Sequence, residues 1–179
     1  MIALAHLLVV LVLIKLFRLD RTEAFAALLF GVFIDLDHIF GMVDFVKAQG
    51  VTGALDLEAA LSSDIQWKSL LHNPIAAMII APASVGFRNA VPLLAWGLHL
   101  AMDWVQIEVL GVLSAPEMVL IAALVGALVL MEKRDLDSST GRTNSYPAVV
   151  GHMFRQAEDE VSGFFGRVKR TLVSPSIFS

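Results

Sequence analysis

The sequence predicts an all-α fold, a polytopic membrane helical bundle of about five transmembrane helices plus a C-terminal amphipathic helix. Composition is the first ground for this. Of 179 residues, 57% are AVILMFWYC and 17% are charged, against roughly 45–50% and about 25% in a soluble domain; the mean hydropathy is +0.74. The second ground is distribution: residues 1–132 hold almost all the long apolar runs, whereas 133–179 read as polar or amphipathic. The expected domains are therefore a transmembrane helical domain over 1–132 and a cytoplasmic tail over 133–179. The third is the length of the runs, which matches the ~17–25 residues of a membrane span.

Taken in order, the spans are Ile2 to Phe17, Ala24 to Val46, Leu70 to Gly86, Ala90 to Leu113 and Ala115 to Met131. The first is short, and Lys15 and Arg18 at its end can snorkel to the interface. A cleaved signal peptide is the rival reading. It lacks a basic segment before the run and a small-x-small site after it. Between spans two and three, the loop Lys47 to Ser69 carries Asp56, Glu58 and Asp64 and a short helix over Ala54 to Leu61. In the tail, Val149, Val150, Met153, Phe154, Ala157, Val161, Phe164, Phe165, Val168 and Leu172 recur at helical spacing. That stripe fits a helix on the inner leaflet, with Arg155, Arg167, Lys169 and Arg170 at anionic headgroups. It fits equally a helix packed on the cytoplasmic loops or on a second subunit.

Short cytoplasmic loops collect Lys and Arg, so orientation can be counted. Eleven of the 13 basic residues follow spans one, three and five, and only Lys47 and Lys68 lie on the other side. The expected protein is thus a multi-pass protein of the cell membrane, N-terminus outside and C-terminus cytoplasmic. A net charge of −4 and a pI near 5.7 provide no basic field for nucleic acid. The absence of cysteine removes disulfides, iron–sulfur clusters and a thiol nucleophile.

The informative residues are ionisable ones inside the apolar runs. Each costs about 2.5–3.5 kcal/mol in hydrocarbon on translocon scales and so needs a partner or a function. Span one carries His6, span two Asp35, Asp37, His38 and, near its end, Asp44, span three His72, and span four His99 and Asp103. At 1.5 Å rise per residue, all fall in the outer half of the membrane or near its midplane. His99 and Asp103 are i, i+4 neighbours and Gln106 continues their stripe. At about 100° per residue, however, Asp37 and His38 cannot face inward equally well in a regular helix. One of the span-two groups must play a supporting role, or the helix is distorted.

Imidazoles and carboxylates without thiolate suit Zn²⁺, with Mn or Fe as alternatives, better than Mg²⁺, which prefers oxygen alone. The set can hold one ion, with carboxylates orienting the rings, or two. Buried Asp–His pairs that only fix helix packing or relay protons are the competing account. His152, on a polar stretch, is expected to be solvated. Gly31, Gly41 and Gly97 are expected to allow close helix packing, and Met102 and Met118 to be ordinary core or lipid-facing residues.

Ala5-His6-Leu7-Leu8, Asp35-Leu36-Asp37-His38, Leu71-His72-Asn73 and Gly97-Leu98-His99-Leu100-Ala101-Met102-Asp103 follow one another in an order that resembles the membrane-bound metal-dependent hydrolases of the YdjM type. The resemblance spans roughly residues 5 to 110 and the tail has no part in it. It implies a metal-dependent hydrolase without naming a substrate. Ile34 stands where that family has Pro. Trp67-Lys68-Ser69-Leu70-Leu71-His72-Asn73 replaces a His-Arg-x-x-Thr-His-Ser segment, so Trp67 offers no ligand and Leu71 no hydroxyl. Gln106 stands near the place of a Thr. These departures leave open a site with one metal, with altered specificity, or without catalysis.

The leading expectation is a hydrolase acting on an ester or phosphoester of a lipid or other amphiphile near the outer leaflet. His6, His38, His72, His99 and Asp103 form the ligand set, Asp37 is a further ligand or the general base, and Asp35 supports. No Ser-His-Asp arrangement competes, since Ser69 near His72 has no nucleophile turn. The alternatives are a non-catalytic metal-binding membrane protein and a scaffold whose tail helix carries the partner. Oligomeric state is not legible.

Overall fold

The computed structural model describes residues 3–54, 56, 70–87, 89–111 and 114–173, with backbone alone at Phe40, Ala54, Phe164, Phe165 and 167–173. The helix expected over Ala54 to Leu61, Trp67 to Ser69, Arg88 and Leu113, and the C-terminal part of the apolar tail stripe lie outside the described residues or their side chains. Among the described residues the fold is all-helical, and the chain forms two compact units, Met1–Leu124 and Val125–Ser179. The boundary expected at 132 falls inside a helix.

Unit one begins with α1 (Ala3–Phe17) and α2 (Arg21–Gly31). Asp20 starts α2 with a capping box. Its carboxylate accepts from the N–H groups of Thr22 and Glu23 at 2.8 and 2.9 Å, and Glu23 accepts from Asp20 N at 3.0 Å, satisfying N–H groups that the first turn leaves open. The single span expected over Ala24 to Val46 is interrupted. α2 stops at Gly31, a 3₁₀ segment runs over Phe33–Asp37, and α3 (His38–Ala54) follows, itself broken at Gly50 with φ 76°.

Span three is shorter than expected. Residues 70–73 are a turn, and Asn73 accepts from Ile75 N at 3.0 Å ahead of a 3₁₀ turn Pro74–Ala76 and α4 (Ala77–Phe87). Asn as N-cap followed by Pro is a strong start signal. Then α5 (Val91–Val105) passes into a π segment, Gln106–Leu110, which ends at Gly111 with φ 75°.

Helix α6 (Ala115–Thr140) extends nine residues past the apolar run that ends at Met131. Polar residues there still favour helix, and Lys133 pairs with Asp137 one turn on. This is the one described helix both long and apolar enough to cross a membrane. Ala3–Phe17 and Pro74–Phe87 are apolar but shorter.

In unit one, α2 packs against α5, with α1 and α4 alongside. One core cluster joins Ile34, Ala76, Ile80 and Trp96, and a second joins Val10, Ala27 and Ala95. Gly31 is needed at the second, since a Cβ there would lie 2.7 Å from Val10 Cγ2. Gly97 is not a packing glycine as expected, because it is exposed and a Cβ there meets nothing within 4 Å.

In unit two the end of α6 turns at Gly141, φ 65°, into α7 (Tyr146–Val173). Asp137 Oδ1 organises the turn, accepting from Asn144 N and Nδ2 at 2.7 and 2.9 Å. His152 is not simply solvated as expected. Its Nε2 lies 3.4 Å from Oε1 of the buried Glu132, because the reversal brings α7 back to a carboxylate that needs a polar neighbour.

Candidate metal centre

Unit one gathers His6 from α1, Asp35 and Asp37 from the 3₁₀ segment, His38 from the start of α3, His72 from the turn before α4, and His99 and Asp103 from α5. Each is anchored by the core. Ile34 precedes Asp35, Leu71 precedes His72, Trp96 and Ala95 lie one turn before His99, and Val10 lies one turn after His6.

The break after Gly31 has a direct consequence for the site. In a continuing α-helix, Asp35 N would donate to Gly31 O; here it donates to Val32 O at 3.2 Å. The Gly31 carbonyl is released and meets His99 Nδ1 at 3.1 Å. A ring that donates Nδ1–H to a backbone carbonyl presents its Nε2 lone pair on the other side, the usual way in which a ligand imidazole is oriented.

Polar donors converge on that nitrogen. His99 Nε2 lies 2.8 Å from His72 Nε2, 3.1 Å from Asp35 Oδ1 and 3.2 Å from Asp103 Oδ2. His72 Nε2 lies 3.2 Å from the same Asp35 oxygen and 3.6 Å from the same Asp103 oxygen. In a tetrahedral zinc site, ligand distances of ~2.0–2.1 Å place donor atoms ~3.3 Å apart. The approaches of the two ring nitrogens to each other and to each carboxylate oxygen, at 2.8–3.6 Å, bracket that spacing.

His72 is held from behind by Asp37. Asp37 Oδ1 lies 3.5 Å from His72 Nδ1, and Oδ2 accepts from Leu71 N at 2.7 Å. Trp96 Nε1 donates to Leu71 O at 2.8 Å, so both peptide groups flanking Leu71 are clamped. The two aspartates thus stand the other way round from the sequence expectation. Asp35 faces the ring nitrogens and Asp37 orients a ring. The 3₁₀ geometry accounts for this, since residues three apart eclipse. Asp35 and His38 share one side while Asp37 points to another. His38 sits at the margin, with Nε2 3.9 Å from Asp35 Oδ1 and its ring 4.5 Å from that of His72.

His6 is 1% exposed and stacks on His99, with centroids 4.0 Å apart and planes 21° apart. Its Nε2 lies 3.2 Å from Asp103 Oδ1 and its Nδ1 3.7 Å from Asp35 Oδ2, yet neither nitrogen makes a directed hydrogen bond. A floor of buried His6 and His99 contrasts with a rim of Asp35, Asp103, His38 and His72, which keep between 15% and 25% of their side-chain surface. The groups His6–Asp35–His99, Asp35–His38–His72 and His72–His99–Asp103 each bring their ligand atoms within 4.8 Å of one another. These residues could hold a metal ion.

Sequence reasoning passed over four contributors: the Gly31 carbonyl, the Leu71 backbone, Trp96 and Glu117. Trp96 carried a signal, three residues before His99 on the same helix face. Glu117, fully buried, accepts from Gln106 Nε2 at 3.2 and 3.4 Å, which places Gln106 in a polar pair between α5 and α6. No family model, curated protein or solved structure matches the chain.

Proposed function

We propose that this chain is a membrane-embedded metal-dependent hydrolase that cleaves an ester or phosphoester carried by a lipid or other amphiphile. The observation that carries this reading is the convergence of His72 Nε2, His99 Nε2, Asp35 Oδ1 and Asp103 Oδ2 at 2.8–3.6 Å. With the outer nitrogens of both rings facing Gly31 O and Asp37, the electron-rich inner atoms call for a cation between them. Zn²⁺ suits this N/O set best, with Mn or Fe as alternatives. When bound, such an ion lowers the pKa of a water ligand toward ~7 and polarises an acceptor oxygen.

In this account the protein's own groups divide the work. His72, His99, Asp35 and Asp103 hold the ion, and Asp37 and the Gly31 carbonyl fix the two rings. His38, on the accessible rim, is placed to take a proton from the attacking water. The membrane setting is supported by α6 and by an apolar surface that includes Leu36, Ile39, Leu70, Ile75, Trp104 and Ile107, each more than 60% exposed, in sequence beside the ligands. Exposed apolar area of that extent marks contact with lipid or a partner. The five-span arrangement, with the N-terminus outside, belongs to the same proposal. It rests on the sequence runs and the basic-residue count.

The test is hydrolysis by the detergent-purified chain of a panel of lipid carboxylic esters and phosphoesters, with and without a chelator and with Zn²⁺ restored. Turnover of one class that chelation abolishes and Zn²⁺ restores is the expected result. A folded, metal-loaded protein inert toward the whole panel would leave a non-catalytic metal-binding protein in its place.

A further inference from the structure

We infer that the centre takes two divalent cations rather than one, the second on Nε2 of His6, with Asp103 turning one oxygen to either ion. The inference rests on the metal-binding reading above and goes beyond it in ion number and in the role of His6.

The carboxylate geometry points this way. Asp35 presents Oδ1 to His72 and His99 and Oδ2 to His6, at 3.7 Å from Nδ1. Asp103 does the same with the oxygens exchanged, presenting Oδ2 to His72 and His99 and Oδ1 to His6, at 3.2 Å from Nε2. A carboxylate whose sole task is to complete one mononuclear site has no reason to aim its second oxygen at another imidazole. Asp103 thus divides its oxygens as a bridge between two ions does, and Asp35 Oδ2 stands behind the other His6 nitrogen.

His6 supplies the independent observation. It is 1% exposed, and neither ring nitrogen has a directed hydrogen bond, a costly state for a buried polar group unless something else satisfies it. A single ion among His72, His99, Asp35 and Asp103 does not satisfy it. The imidazole lone pair lies in the ring plane, and the His6 and His99 rings are stacked 4.0 Å apart with planes 21° from parallel. Their lone pairs therefore lie in separate, nearly parallel planes and point to separate places. Paired metal centres have ions ~3.5–4 Å apart, the same spacing as these rings.

The experiment is metal analysis of the full detergent-purified chain after loading with Zn²⁺ and removal of free ion, for wild type, His6→Ala and His6→Asn. Helicity by circular dichroism verifies folding in each. Wild type is expected to hold close to two Zn²⁺ per chain, and the folded His6 variants close to one. Loading wild type with Mn²⁺ supplies a readout that needs no variant. Two neighbouring ions give a spin-coupled paramagnetic resonance spectrum, whereas an isolated ion gives six resolved lines. One ion per chain in wild type with an uncoupled spectrum overturns the second site and leaves the mononuclear reading standing. Two ions retained in a His6 variant overturn the assignment to His6. No bound ion in folded wild type overturns both readings.

Discussion

Asp35 and Asp103 in unit one and Asp137 in unit two are all helix-borne carboxylates with several close polar neighbours, yet their surroundings differ in kind. Asp137 accepts from the backbone N–H and side-chain amide of Asn144 and pairs with Lys133. Each partner is a dedicated donor, and together they close a turn. Asp35 and Asp103 face the Nε2 atoms of His72 and His99, which can themselves act as electron-pair donors and crowd to 2.8 Å. The first arrangement is built from N–H donors, whereas the second brings together groups that could hold a metal ion. A carboxylate that closes a turn gathers N–H groups. One placed to share a metal ion faces ring nitrogens whose far sides are held, as Asp37 and Gly31 O hold the two rings here.

Replacing Asp35 by Ala should break the second arrangement most severely. It removes the oxygen shared by His72 and His99, and metal affinity in a chelator competition should fall by more than ~100-fold, beyond the ~10–100-fold typical of supporting residues. Asp37→Asn should fall inside that supporting range of ~10–100-fold, with ion stoichiometry unchanged, because it weakens the hold on His72 without removing a ligand. A drop as deep as that of Asp35→Ala would return Asp37 to the ligand set.

Gly31→Ala should lower stability by ~1–3 kcal/mol through overpacking against Val10, read as a lower thermal midpoint. Gly97→Ala should be neutral or stabilising by up to ~1 kcal/mol. Equal effects at the two glycines would contradict the packing of α1 against α2. The smallest change is expected from Asp137→Ala, a slightly lower thermal midpoint from the loss of its turn hydrogen bonds and no change in metal content. Metal loss in that variant would show that the two carboxylate environments are not independent.

The sequence made the helical class and the chemistry-bearing residues legible because an ionisable side chain in an apolar run is conspicuous wherever the chain goes. It also exposed a conflict of phase, since Asp35, Asp37 and His38 could not share one face of a regular helix. The resolution lay beyond reach. The switch to 3₁₀ at Val32, the freed Gly31 carbonyl and the exchange of roles between Asp35 and Asp37 depend on what α5 and the 70–73 turn bring alongside. For the same reason Leu71 reads as a lost hydroxyl in sequence, although it acts through its peptide groups, which any side chain provides. Trp96 reads as bulk and acts as a donor. The Gln106–Glu117 pair joins the π segment to α6, and no periodicity within either one announces it.

The most direct test of the central claim is the metal content of the detergent-purified chain by elemental analysis, beside a folded His99→Ala/Asp103→Ala double variant. The account predicts stoichiometric zinc, manganese or iron in wild type and its loss in the variant. A folded wild type that holds none of these ions even after incubation with them, or a double variant that binds as much as wild type, would contradict it.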